Sequence, residues 1–201
     1  MKIIRLILIL ALGGSLTYLT YKSQFGASIT DVFTLGGLTL LAVIVLFWTI
    51  TEDLRLYKKQ KKVQSLVLTA ICLIFITVIL ILGISITNHF NSPTLLKVYY
   101  NGDYNGTGID FKTDGTYIFD NSSMGYSHYY SGKYYINGNK ITLDRDTIDN
   151  LTNLRFLEVR EKKTGYKTES NNELYLFQID ISNNIIPEAT EYRVIIDNRR
   201  K

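Results

Sequence analysis

The densest run of chemistry-bearing side chains is Asp144-Arg145-Asp146-Thr147-Ile148-Asp149-Asn150. Clustered carboxylate and amide oxygens suit calcium, a hard cation that takes oxygen donors. The run lacks the glycine and terminal glutamate of an EF-hand loop, and Arg145 neutralises part of its charge. A turn or helix cap is the plainer reading. His89 and His128 are the only histidines, with no cysteine beside either and no second histidine at ligand spacing, so zinc is not expected. No G-x-S-x-G elbow, phosphate-binding loop or dinucleotide fingerprint is present. A Ser-His-Asp assembly stays open, since its members need not be close in sequence. The sequence therefore assigns no catalytic residue, no cofactor and no metal.

Tyrosine is the remaining resource. Twelve of the 15 tyrosines follow residue 90, including the pairs Tyr99-Tyr100, Tyr129-Tyr130 and Tyr134-Tyr135. Adjacent strand residues point to opposite faces, so each pair should give one ring to a core and one to the surface. Tyrosine is simply a good strand former. An exposed tyrosine also offers apolar area with a polar tip, which suits protein interfaces and sugar-stacking surfaces. These six residues are the candidate binding surface.

The elements that position them change solvent near residue 90. A membrane-crossing helix needs about 20 apolar residues. Three runs qualify, with spans over about 4–21, 32–51 and 63–87. The first, with Lys2 and Arg5 ahead of Leu6–Leu12 and then Gly13-Gly14-Ser15, also fits a cleavable signal peptide. The lack of an Ala-x-Ala site and the return of apolar residues after Ser15 favour an uncleaved span. Spans two and three hold no acidic or basic residue, which argues against a pump or transporter. Gly13-Gly14 and Gly36-Gly37 would permit close helix approach. The single cysteine, Cys72, reads as a small residue of the third span.

Lys and Arg in short loops set orientation. The segment 52–62 is expected to be a loop, and its Arg55, Lys58, Lys59, Lys61 and Lys62 mark it as cytoplasmic together with the N-terminus. The loop between spans one and two holds one basic residue, Lys22. Three crossings then place residues beyond 90 outside the cytoplasm. The net charge of +4 divides unevenly. Residues 1–89 carry eight Lys/Arg and three Asp/Glu, whereas 90–201 carry fourteen and fifteen. The soluble half thus lacks the positive excess that phosphate binding requires, and nucleic acid is not an expected partner.

After a connector at 90–94, residues 95–201 read as one β domain. Thr113-Asp114-Gly115 and Asn137-Gly138-Asn139 each separate β-prone runs, a strong hairpin cue. Up to eight strands fit, and local connections imply an antiparallel meander, closed as a small barrel or folded as a sandwich. Thr147 to Leu154 is a candidate short helix, and Arg199-Arg200-Lys201 reads as a frayed tail. The fold class is thus membrane α plus all-β.

Phe111-Lys112-Thr113-Asp114-Gly115-Thr116-Tyr117-Ile118-Phe119, followed by Tyr130-Ser131-Gly132-Lys133-Tyr134-Tyr135-Ile136-Asn137-Gly138-Asn139-Lys140-Ile141-Thr142-Leu143, resembles the repeated hairpins of bacterial lipocalin-like envelope domains. The resemblance implies a calyx-like meander barrel and transfers no ligand and no site.

The expectation is a bacterial inner-membrane protein whose extracytoplasmic β domain binds or assembles. Its partners would be the bilayer and an envelope protein, glycan or lipid. Two other classes compete: a cell-envelope enzyme with scattered acid and base residues, and an accessory or immunity-type protein that works through its helices.

Overall fold

A helix satisfies its own backbone donors and acceptors, which is why apolar runs in lipid become helices. In the computed structural model, which describes residues 2–150, 152, 154–164 and 171–199, three helices make up the first of two units, Met1–His89. They are α1 (Lys2–Lys22), α2 (Ile29–Gln60) and α3 (Val67–Phe90), with a short extended segment β1 (Gly26–Ser28) before α2. Each of the three is long and apolar enough to cross a membrane. The hydroxyls of Thr17, Thr34, Thr39, Thr51 and Thr77 donate to carbonyls one turn back, so none is left bare among apolar neighbours. Ser28 opens α2 with a capping box: its Oγ accepts from Asp31 N at 3.2 Å, and Asp31 Oδ2 accepts from Ser28 N at 3.0 Å.

The expected loop at 52–62 is mostly helix. α2 runs through to Gln60 and stops where Lys61 turns left-handed, at φ 53°, with Lys61 N donating to Tyr57 O. Leu, Lys, Arg and Tyr sustain a helix, and cations suit its negative C-terminal end. Of the expected close-approach glycines, only Gly13 meets a neighbour, the Phe75 ring. Around Gly14, Gly36 and Gly37 there is open space. Cys72 is buried with Ile9 and Leu68.

The second unit, Phe90–Lys201, is a closed antiparallel barrel rather than a sandwich. Its eight strands are β2 (Thr94–Asn101), β3 (Asn105–Lys112), β4 (Thr116–Ser123), β5 (Tyr126–Asn137), β6 (Lys140–Leu143), β7 (Phe156–Thr164), β8 (Asn171–Gln178) and β9 (Tyr192–Asp197). Their order is β5-β4-β3-β2-β9-β8-β7-β6, and the β5–β6 pairing closes the ring. The β3–β4 and β5–β6 turns use Gly115 and Gly138 at φ +82° and +61°, as their sequences predict. Closure leaves no free sheet edge.

Period-two alternation sends Leu96 and Val98, Ile109 and Phe111, Tyr117 and Phe119, Leu157 and Val159, and Leu176 and Tyr192 inward. These side chains occupy the interior as a packed core, not an open calyx. In β8 the face carrying Leu174 and Leu176 is the inner one, and Tyr175 lies outside. Inside the barrel Tyr117 lies over Gly132, its strand partner on β5. A Cβ there would sit 2.5 Å from the Tyr117 hydroxyl.

Where a helix from Thr147 is expected, there is a bend at Ile148 and a turn at Asp149 and Asn150; Leu151, Asn153 and residues 165–170 lie outside the described residues. Asp149 and Asn150 take left-handed φ values of 49° and 56°, which a helix cannot accommodate. They drive Ile148 into the core. At the other end, Lys112 anchors the connector. Its ammonium is 2% exposed and donates to Asp110 Oδ2 at 2.9 Å, Phe90 O at 2.7 Å and Ser92 O at 3.0 Å, which uses all three of its donors. Arg199 is not frayed: it is 10% exposed and forks onto Asp197. Arg200 and Lys201 lie outside the described residues.

Candidate functional site

The barrel separates the six candidate tyrosines by strand parity. Tyr130 and Tyr134 face inward, against Phe119 and Phe111. The Tyr130 hydroxyl donates to Asp149 Oδ1 at 2.9 Å and that of Tyr134 to Lys112 O at 2.6 Å. They are structural. Their neighbours differ: Tyr129 packs edge-on against Phe90 at 5.1 Å, and Tyr135 stands 69% exposed. The expected in-and-out division therefore holds for these two pairs. Tyr99 and Tyr100 are both exposed, and they line one groove.

That groove, of about 700 Å3, runs along the outer wall between β2, β9, β8 and β7 and the loop before β9. Its floor follows directly from strand register. Tyr99 pairs with Arg193 and Arg193 with Tyr175, so aromatic, guanidinium and aromatic side chains follow one another across β2, β9 and β8. On its other side Tyr99 pairs with Gly108, and Gly106 is the next outward residue of β3. Neither has a side chain, so the Tyr99 ring lies down on β3. A Cβ on Gly106 would be 1.9 Å from its hydroxyl, and one on Gly108 would be 3.2 Å from Cδ2. Glycine weakens a strand and is kept where something must approach closely.

The charges beside these rings are already partnered. Arg193 Nη2 binds Glu173 Oε1 at 2.9 Å, and the Tyr175 hydroxyl reaches Glu173 Oε2 at 3.4 Å. Lys162 pairs with Glu191, and its ammonium lies 5.4 Å from the centre of the Tyr175 ring. Exposed pairs like these add little stability. They do hold long side chains in place, with donors and acceptors still partly open to solvent.

The acidic run forms no metal centre, and no group of three or more His, Cys, Asp or Glu suited to an ion occurs among the described residues. Its carboxylates diverge. Asp144 accepts from Tyr117 at 3.0 Å, from Lys133 N at 3.0 Å and from Arg145. Asp146 pairs with Arg155 at 2.7 Å. Asp149 accepts from Asn121 and Tyr130, which fastens the turn beside Ile148. Partial burial works to raise the Asp144 pKa, but the bonds from Arg145, Lys133 N and Tyr117 outweigh it and leave it below 3.8. Asp146 is lowered by Arg155, and Asp180 by the backbone and side chain of Asn184. The tyrosines shift the other way. Burial, then the Asp144 acceptor, raises Tyr117, and burial pushes Tyr192 up to about 12. The Thr107 and Thr190 hydroxyls pull weakly against that rise, but neither meets hydrogen-bond geometry with the Tyr192 hydroxyl. A general acid or base needs a pKa near the working pH. These carboxylates and phenols are displaced away from it. His128 stacks edge-on with Tyr126 at 4.9 Å.

The helical unit holds a site that sequence reasoning missed. Arg5 of α1 and Asp53 of α2 form an ion pair at 3.0 Å, 3% and 0% exposed. The other Asp53 oxygen accepts from Thr69 N and Thr69 Oγ1, both at 3.0 Å, and so caps the first turn of α3. Arg5 also reaches Thr49 O at 3.4 Å. Reading Arg5 and Asp53 as flanks of separate spans hid the pairing; the available signal was the acid pair Glu52-Asp53 in a strongly basic flank. Arg55 pairs with Glu52 at 2.8 Å, while Lys58, Lys59, Lys61 and Lys62 are exposed around the end of α2.

Comparison with known proteins finds no match to this chain among family models, curated proteins or solved structures.

Proposed function

We propose that this chain is a membrane-tethered recognition module: its helices hold the barrel outside the cytoplasm of a bacterial inner membrane, and the barrel's outer wall binds an envelope protein, glycan or lipid. The observation that carries the reading is the Tyr99–Arg193–Tyr175 row, a partly exposed aromatic and charged surface whose Tyr99 ring lies on Gly106 and Gly108. Tyrosine and arginine are the residues that dominate recognition surfaces. The basic cluster at 55–62 supports a cytoplasmic N-terminus and an external barrel. The packed interior moves a lipocalin-like role from the calyx to the wall.

A photoreactive residue in place of Ile195, which lines the groove and is exposed, tests the proposal in living cells. A discrete adduct at 195, with none when the same group replaces Tyr135, is the expected mass-spectrometric result. Adducts confined to probes on α1–α3 would transfer the function to the helices.

A further inference from the structure

The groove's chemistry narrows the ligand. We propose that it binds a neutral glycan, with Tyr99 as the stacking platform; this rests on the recognition reading above and deepens it. A pyranose ring has an apolar C–H face and a rim of hydroxyls that both donate and accept. Its site therefore needs an aromatic plate whose back is supported and whose front is open. Tyr99 meets this: its ring rests on β3 at Gly106 and Gly108, yet it remains 38% exposed. The site also needs polar groups of both kinds, fixed in advance. The Arg193–Glu173 and Lys162–Glu191 pairs supply them beside the plate.

Charge excludes the neighbouring classes. Two cations, Lys162 and Arg193, and two carboxylates, Glu188 and Glu191, line the groove, so it has no net charge. A polyanion would meet Glu188 and Glu191, and its phosphates or carboxylates would have to displace partners that the cations already hold. Size bears on a protein partner. A volume of about 700 Å3 lies within the usual range for small-ligand clefts, whereas a stable protein contact needs a broad face of roughly 800 Å2 on each side. Tyr135, more exposed than Tyr99, lies outside the groove.

The test uses the full chain in phosphatidylcholine nanodiscs, so that no sugar-headed detergent competes. Cellotetraose, chitotetraose and the anionic tetragalacturonate are titrated by calorimetry, and ligand saturation transfer identifies the contacting protons. The expected result is binding of at least one neutral tetrasaccharide, with a Kd on the order of 0.1–1 mM, at least about tenfold tighter than the anionic one. Tyr99→Ala should weaken it by about tenfold or more and Tyr135→Ala should leave it unchanged. Gly106→Ala should match Tyr99→Ala, because it lifts the ring without removing it. Unchanged thermal melting of the variants separates lost binding from lost folding; if Gly106→Ala unfolds the barrel, Tyr99→Phe replaces it and should retain most of the affinity. Absence of binding by every probe up to 10 mM (about the weakest affinity of use here), or equal affinity for the anionic one, overturns the glycan assignment. A protein adduct at position 195 in the same case keeps the recognition module and rejects its sugar. Absence of both rejects the two readings together.

Discussion

Asp53→Leu is expected to lose about 3–5 kcal/mol of bundle stability, because it strands the Arg5 guanidinium among helices with no counter-charge. It also removes the acceptor for Thr69 N, a cap worth roughly 1 kcal/mol. The measurement is unfolding of the full chain in a mild detergent, followed by helix signal and by protease sensitivity near α1. Arg5→Leu should behave similarly, since it leaves the carboxylate with Thr69 alone. The double variant Arg5→Leu/Asp53→Leu should recover most of the loss, because exchanging a buried ion pair for packed apolar groups is often neutral or favourable. Recovery in the double variant separates pairing from mere packing. Wild-type stability in Asp53→Leu alone would mean that the pair does not join α1 to α2 and α3.

Phe111→Ala carries the second large effect. Phe111 is fully buried in the barrel, with the Tyr134 ring 5.0 Å and the Tyr117 ring 6.4 Å away. Truncating a phenylalanine in a packed core costs about 3–5 kcal/mol, since neighbours close only part of the cavity. For a domain of this size the melting temperature should fall by roughly 15 °C or more. Lining an open, hydrated calyx, the same residue would cost far less, because little packing would be lost. A drop of only a few degrees would therefore reopen the barrel interior as a ligand site and weaken the case for the outer wall.

The three long apolar helices were legible because their signal is one-dimensional: apolar length is read from the string alone. Hairpins were legible for a similar reason, since Gly115 and Gly138 hold the left-handed turns that their neighbours cannot. What escaped depends on register. Nothing in the string Leu-Lys-Val-Tyr-Tyr says that Tyr99 lies opposite both Gly108 and Arg193, because that pairing is fixed only when β2 finds β3 on one side and β9, nearly a hundred residues later, on the other. Arg5 and Asp53 escaped for the same reason at longer range. The segment 144–150, whose plainer reading was a turn or cap, shows how little proximity along the chain says about a site. Its oxygens are close in sequence, but they point to separate partners: Asp144 to Tyr117, Asp146 to Arg155 and Asp149 to Asn121.

Thiol labelling in intact cells bears most directly on the proposed architecture, in which helices lie in lipid and a barrel faces the outside. With the buried Cys72 changed to Ala, single cysteines are placed at Met124, 82% exposed in the β4–β5 turn, and at Lys59 near the end of α2. A membrane-impermeant maleimide should label Met124→Cys before permeabilisation and Lys59→Cys only afterwards. The reverse order, or equal labelling of both in unbroken cells, would contradict the account.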